Sequence, residues 1–161
     1  MAANDADYEK LIIGLYSALQ QRDGVAMADC YHSDAHFSDP VFPNLYGVQV
    51  KNMWKMLCAR AGDIRVDVTD IQVTDRAGNA HWQAWYTFSG TGRPVHNRIH
   101  AAYEFRGGQI VRHIDSFNLW SWSKQALGMK GQLLGWLPSV QKKIREQAAA
   151  GLLQWQSGVR S

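Results

Sequence analysis

The chain is poor in the features that most often announce a function. Its 161 residues include two cysteines, Cys30 and Cys58, with neither metal-site spacing nor the density of a disulfide framework. Both read as small buried hydrophobes in a reducing compartment. Six histidines are scattered along the chain. His96 and His100 stand four apart on an expected strand, about 13 Å from each other, too far to share a metal. Neither metal nor cofactor is expected. No basic-then-apolar N-terminal segment and no long apolar run are present, so the chain is expected to be neither secreted nor membrane-spanning, with the cytoplasm as its place. The formal charge is only +3, and the Lys and Arg residues are dispersed, which argues against a nucleic-acid partner. Gly90-Thr91-Gly92 and Gly107-Gly108 match no nucleotide-binding fingerprint, and no Ser or Cys sits in a nucleophile motif.

Aromatic residues are plentiful. Seven Trp, six Tyr and five Phe call for large apolar walls or a generous interface. Their spacing gives the elements. Tyr8, Leu11, Ile12, Leu15, Tyr16 and Leu19 predict a helix over 5–21, with Asn4 or Asp5 as cap. A short helix over 25–32, capped by Asp23, follows. Pro40 and Pro43 exclude a helix interior, so Ala35–Asp39 reads as a short strand running into a loop. Val50, Met53, Trp54, Leu57 and Cys58 stripe a third helix over 48–61. Ile64, Val66 and Val68 alternate, but Ile71 and Val73 continue out of phase, the sign of a bulge in a long bent strand. Arg76 to Asn79 should turn the chain into a strand over 80–89. Helical spacing returns around Lys124–Leu127 and Leu133–Leu137, and Pro138 should open a final helix to about Trp155.

The stretch from Val95 to Trp122 reads as a hairpin. Val95, Ile99, Ala101, Tyr103 and Phe105 share one face, and His113 and Asp115 lie on one side of the second strand. A two-residue Gly107-Gly108 loop pairs Ala101 with Ile114 and leaves Asp115 beside His100 on the polar face. A three-residue loop pairs Ala101 with His113 and turns the His and the Asp inward. The three-residue loop is the favoured reading. Helices followed by a bent antiparallel sheet make an α+β fold, with helices closing the concave side into a conical pocket. The domain is expected over 1–128, with a helical extension over 129–161 packed on it or on a partner subunit.

The run GLYSALQQRDGVAMADCYHSDAHFSDPVF resembles the opening of the NTF2-like superfamily: a helix, a short helix, then a strand carrying Asp-Pro. GQIVRHIDSFNLW resembles the last strand of SnoaL-like polyketide cyclases. The resemblance implies a cone of helices and curved sheet, and a homodimer through the outer sheet face. It places Asp39 where ketosteroid isomerases of this superfamily keep a general base, and Asp115 where the cyclases keep theirs. The isomerase's oxyanion donors would fall at Leu15 and Ala101, which cannot donate, with Tyr16 about 100° further round the helix. Steroid isomerisation is therefore disfavoured. An Asp-Arg-Asp relay for epoxide hydrolysis is disfavoured too, because Arg98 lies on the polar face.

Each candidate has a plainer reading. Asp39 before Pro40 is either a pocket base or the start of a turn. His113 and Asp115, two apart, are too splayed to meet unless their side chains bend, but can face one ligand. The plainer alternative is an outer-face Asp115 hydrogen-bonded to a neighbouring Arg at a dimer contact; the pocket reading is favoured. Leu15, Phe37, Trp54, Trp82, Tyr86, Ala101, Tyr103 and Phe117 are expected around the cavity, with Tyr86 or Tyr103 as hydroxyl donor. As a set they suit a flat apolar ring or polyketide-like ligand. Trp120, Trp122, Leu133, Leu134, Trp136 and Leu137 form an apolar patch for the pocket mouth or a partner; the tail's polar face is too weakly cationic to suggest a membrane. Two functions follow. One is a cofactor-independent isomerase, cyclase or lyase of the SnoaL-like kind, with Asp115 as base, Asp39 second and His113 assisting. The other is a non-catalytic ligand-binding or dimerisation module.

Overall fold

The computed structural model describes residues 2–159. Helix α1 (Asp5–Gln20) starts on a reciprocal cap, the Asn4 side chain accepting from Asp7 N and the Asp7 carboxylate accepting from Asn4 N. Asp23 caps α2 (Gly24–Asp29) through Ala26 N. The expected helix over 25–32 is shorter, because Tyr31 already belongs to strand β1 (Tyr31–Ser38). A two-residue β2 (Leu45–Tyr46) and α3 (Val48–Arg60) follow. Three long strands come next: β3 (Ile64–Thr74), β4 (Ala77–Phe88) and β5 (Arg93–Arg106), with β6 (Gln109–Ser116) closing the run. Helices α4 (Leu119–Leu127), α5 (Met129–Leu134) and α6 (Pro138–Val159) end the chain, Pro138 opening α6 as its position predicts.

The six strands form one curved, unclosed sheet in the order β2-β1-β6-β5-β4-β3. This is the α+β arrangement expected, with one difference. The sheet is not wholly antiparallel: β1 runs parallel to β6, with Phe37 beside His113. Pairing through β6 is what draws Tyr31 out of the helix and into the sheet. The concave face and α1, α2 and α3 share the main core, which includes Ile12, Leu15, Met53, Ala101 and Ile110, all essentially unexposed.

The sheet is bulged in β3 and β6, and the β1–β6 pairing is also irregular between Tyr31 and His36. In β3, Asp70 and Ile71 lie between the pairs Thr69–His81 and Gln72–Asn79, with Asp70 at φ +54°, where the broken alternation puts them. The following turn is Asp75-Arg76, both at positive φ, one step earlier than the sequence suggests. Gly78 is instead inside β4, where a Cβ would meet Phe105 Cε2 at 3.1 Å. The second bulge lies at Val111, between the pairs Phe105–Ile110 and Glu104–Arg112. The β5–β6 loop is the two-residue Gly107-Gly108, both at positive φ, and the three-residue loop is corrected accordingly. The bulge restores the inward phase. Tyr103 faces His113, and Ala101 faces Asp115.

Candidate active site

A cavity of about 430 Å³ lies between the concave sheet and the helices. Its walls are mostly apolar: Met53, Trp54 and Leu57 from α3, Trp82 and Tyr86 from β4, and Phe117 after β6. Helix α6 contributes Ile144 and Ala148, so the apolar stripe of the C-terminal helix lies against the chain's own cavity. Two carboxylates reach it, Asp39 and Asp115, together with Asn97 and Arg60.

Asp115 is fixed from two sides. Trp82 Nε1 donates to its Oδ1 at 3.2 Å, and His113 Nε2 lies 2.8 Å from the same oxygen. The other His113 nitrogen, Nδ1, lies 2.8 Å from the Tyr31 hydroxyl. A neutral imidazole protonated on Nε2 satisfies the whole chain, with Tyr31 donating to Nδ1 and Nε2 donating to Asp115. His113 and Asp115 therefore meet through the exception their spacing leaves, a bent side chain. The imidazole is long enough to lean along β6 and is held in that pose between Tyr103 and Phe37, with ring centroids at 4.6 and 5.0 Å. His113 has no exposed surface. It acts on Asp115 from behind the cavity wall.

Asp39 follows β1. Its Oδ1 accepts from Val41 N at 2.7 Å and Phe42 N at 2.5 Å, an Asx turn that carries the chain past Pro40. Burial pushes its carboxyl up to about 7, against the pull of the Phe42 N–H and with a further push from the Asp115 charge. The turn and the raised carboxyl are thus properties of one residue. Tyr86 Oη accepts from Trp122 Nε1 at 2.8 Å, which leaves its own proton for a ligand. Burial raises the Tyr86 hydroxyl above its ordinary value.

Of the residues the sequence singles out, Asp39, Asp115, Trp54, Trp82, Tyr86 and Phe117 line this one cavity. Leu15, Phe37, Ala101 and Tyr103 do not; they are packed beneath it, with almost no exposed surface. The Tyr103 hydroxyl is bonded to that of Tyr16, and burial raises both well above the ordinary tyrosine range. Arg98 is exposed, as its place on the polar face requires. Trp122, which the sequence places in a patch for the pocket mouth or a partner, also lines the cavity. Not singled out in the sequence were Tyr31, within the expected second helix, and Asn97 and Arg60, which reach the cavity. Asn97 alone carried a signal, its odd-numbered phase with Val95 and Ile99.

A curved sheet wrapped on helices around an apolar cavity is the NTF2-like cone. Residues 12–113, more than half of the chain, match the SnoaL-like domain, and the chain belongs to that family. No curated protein sequence matches it. Among solved structures it is similar to a LEH-like epoxide hydrolase of M. tuberculosis (TM-score 0.66, 16% identity, 83% of this chain and 98% of that one). It is also similar to a putative polyketide cyclase of Xanthomonas campestris pv. campestris (TM-score 0.63, 21% identity, 77% and 99% covered). A third is TerC co-crystallised with polyporic acid (TM-score 0.64, 14% identity, 74% and 97% covered). At these identities the likeness is one of fold.

Proposed function

We propose that this chain is a cofactor-independent enzyme that moves a proton on a hydrophobic, ring-type or polyketide-like substrate. Isomerisation, cyclisation and dehydration all need that step. The observation that carries the reading is a pair of carboxylates in different environments on one apolar cavity. Asp115, oriented by Trp82 and His113, serves as base. Asp39, brought by burial to about 7, is matched to giving or taking a proton near neutral pH. Tyr86 offers a hydrogen bond to a carbonyl as negative charge develops on it. His113 is a positioning residue. The co-crystallisation of TerC, similar in fold, with polyporic acid is in keeping with an organic small-molecule guest. A cytoplasmic homodimer through the outer sheet face completes the proposal, that face presenting Trp85 stacked on His96 at 4.5 Å. The cone over 1–128 and the extension over 129–161 then serve one cavity.

The test is a screen of enolisable polyketide-like ketones followed by kinetics. Asp115→Asn should lower kcat by about 10²–10⁴-fold while ligand binding persists. Full activity in that variant would sink the reading. A binding module is the alternative, favoured by the Asp39 carboxylate already being used in its own turn. Such a module would turn over none of these ketones and lose affinity only when Trp54 or Trp82 is truncated.

A further inference from the structure

Helix α5 is built inside out. Its glycine faces the protein: Gly131 and the following cap residue Gly135 are buried, and a Cβ on Gly131 would lie 1.9 Å from Ser123 O. Its large apolar side chains face solvent. Met129 is 74% exposed, Leu133 63% and Leu134 46%, and Trp136 just beyond is 58% exposed. Trp120 of α4 joins them by donating from Nε1 to Gln132 O at 3.2 Å, and Lys124 Nζ lies 4.3 Å over the Trp120 ring. A chain that needed Leu133 and Leu134 for its core would have turned them onto α4. Close glycine packing instead holds them out, and a soluble surface rarely carries such a patch without an occupant.

Charge identifies the occupant. From Ser116 to Arg145 there is no Asp or Glu, whereas Lys124, Lys130, Lys142, Lys143 and Arg145 are all basic. Lys142 is paired with Glu146 at 3.8 Å, and Arg145 donates to Pro40 O. Lys124 on α4 and Lys130 on α5 have no acid in any ion pair among the described residues. A second copy docked patch to patch would bring two sets of lysines together without a counter-charge. An anionic lipid surface supplies both the apolar layer for Leu133, Leu134 and Trp136 and the negative charge for the lysines.

We propose that the α4–α5 face is a peripheral docking surface for anionic membranes. This departs from the sequence-based expectation, which assigned the same apolar patch to the pocket mouth or a partner and found the tail's polar face too weakly cationic for a membrane. No helix among the described residues is long and apolar enough to cross a membrane, so the contact is one of surface insertion. The proposal does not depend on the catalytic reading.

The experiment is co-sedimentation of the full chain with vesicles of phosphatidylcholine alone or with about one-third phosphatidylglycerol. The protein should partition onto the anionic vesicles and leave them as salt is raised. Leu133→Ser with Trp136→Ser should abolish partition, and Lys130→Gln should lower it about fivefold. Thermal midpoints near that of the wild type confirm that the exposed substitutions keep the fold; if the double variant melts early, Lys130→Gln carries the test. No partition onto anionic vesicles at low salt overturns the proposal. So does undiminished partition of a folded variant, or a patch variant whose only effect in ultracentrifugation is to split a dimer.

Discussion

Trp82 and Asp115 lie on strands separated by β5, yet the indole N–H of one reaches the carboxylate of the other at 3.2 Å. The residue facing Asp115 on the intervening strand is Ala101, itself opposite Ala80 on β4. A methyl group at that point leaves the lane open. The small residue at 101 is a spacer that permits the bond.

Ala101→Leu should therefore both overpack and disconnect. Stability should fall by about 1–3 kcal/mol, and the Trp82 indole proton should lose its hydrogen-bonded shift in an NMR spectrum. A variant of wild-type stability with the indole resonance unmoved would show that Ala101 does not gate the contact.

Asp39 makes stability depend on pH with a definite sign. Its carboxyl titrates near pH 7 when folded and near 3.9 when unfolded. The neutral form is thus favoured by folding: its contribution is complete below about pH 3.9 and is lost as pH rises through about 7. Asp39→Asn keeps an oxygen for Val41 N and Phe42 N but cannot ionise. Its stability relative to wild type should climb between those values by at most about 4 kcal/mol. Thermal midpoints of both proteins across that range test it; parallel curves would mean that the carboxyl is not desolvated.

His113 should behave as a keystone of the buried polar chain. Removing it with His113→Phe leaves the Tyr31 hydroxyl and one bond of Asp115 unsatisfied, at about 1–3 kcal/mol for each orphaned group. Tyr31→Phe should cost about 1 kcal/mol. In a double-mutant cycle the two losses should be less than additive, since they break one contact. Additive losses would separate Tyr31 from His113 energetically.

The sequence showed the sheet's face and one of its joints. The phase slip from Val68 to Ile71 exposed the β3 bulge because alternation on both sides was clean. Val111 gave no such signal: it lies between apolar Ile110 and charged Arg112, so alternation is intact whichever residue is extra. The polar network was legible only in part for a related reason. Asp39 and Asp115 sit in recognisable local contexts, whereas Tyr31 is tied to His113 across 82 positions by a parallel pairing that no local pattern encodes.

Gly131→Ala should lift α5 from α4, because the added methyl collides with the Ser123 backbone carbonyl and not with a movable side chain. We expect a loss of about 1–3 kcal/mol and faster amide exchange confined to residues 128–137. Unchanged exchange there would show that α5 tolerates the shift.

Val111 works as an expansion joint. On the turn side of it the hairpin keeps the count set by Gly107-Gly108; on the cavity side, the count set by Tyr103–His113 and Ala101–Asp115. Losing one codon at 111 would leave those inward pairs facing as they do, on a straighter strand. Losing one in the turn, with the bulge unable to take up the difference, would rotate both groups outward. Length changes in this hairpin should therefore be tolerated beside the bulge and punished at the tip, the reverse of what an exposed loop normally permits.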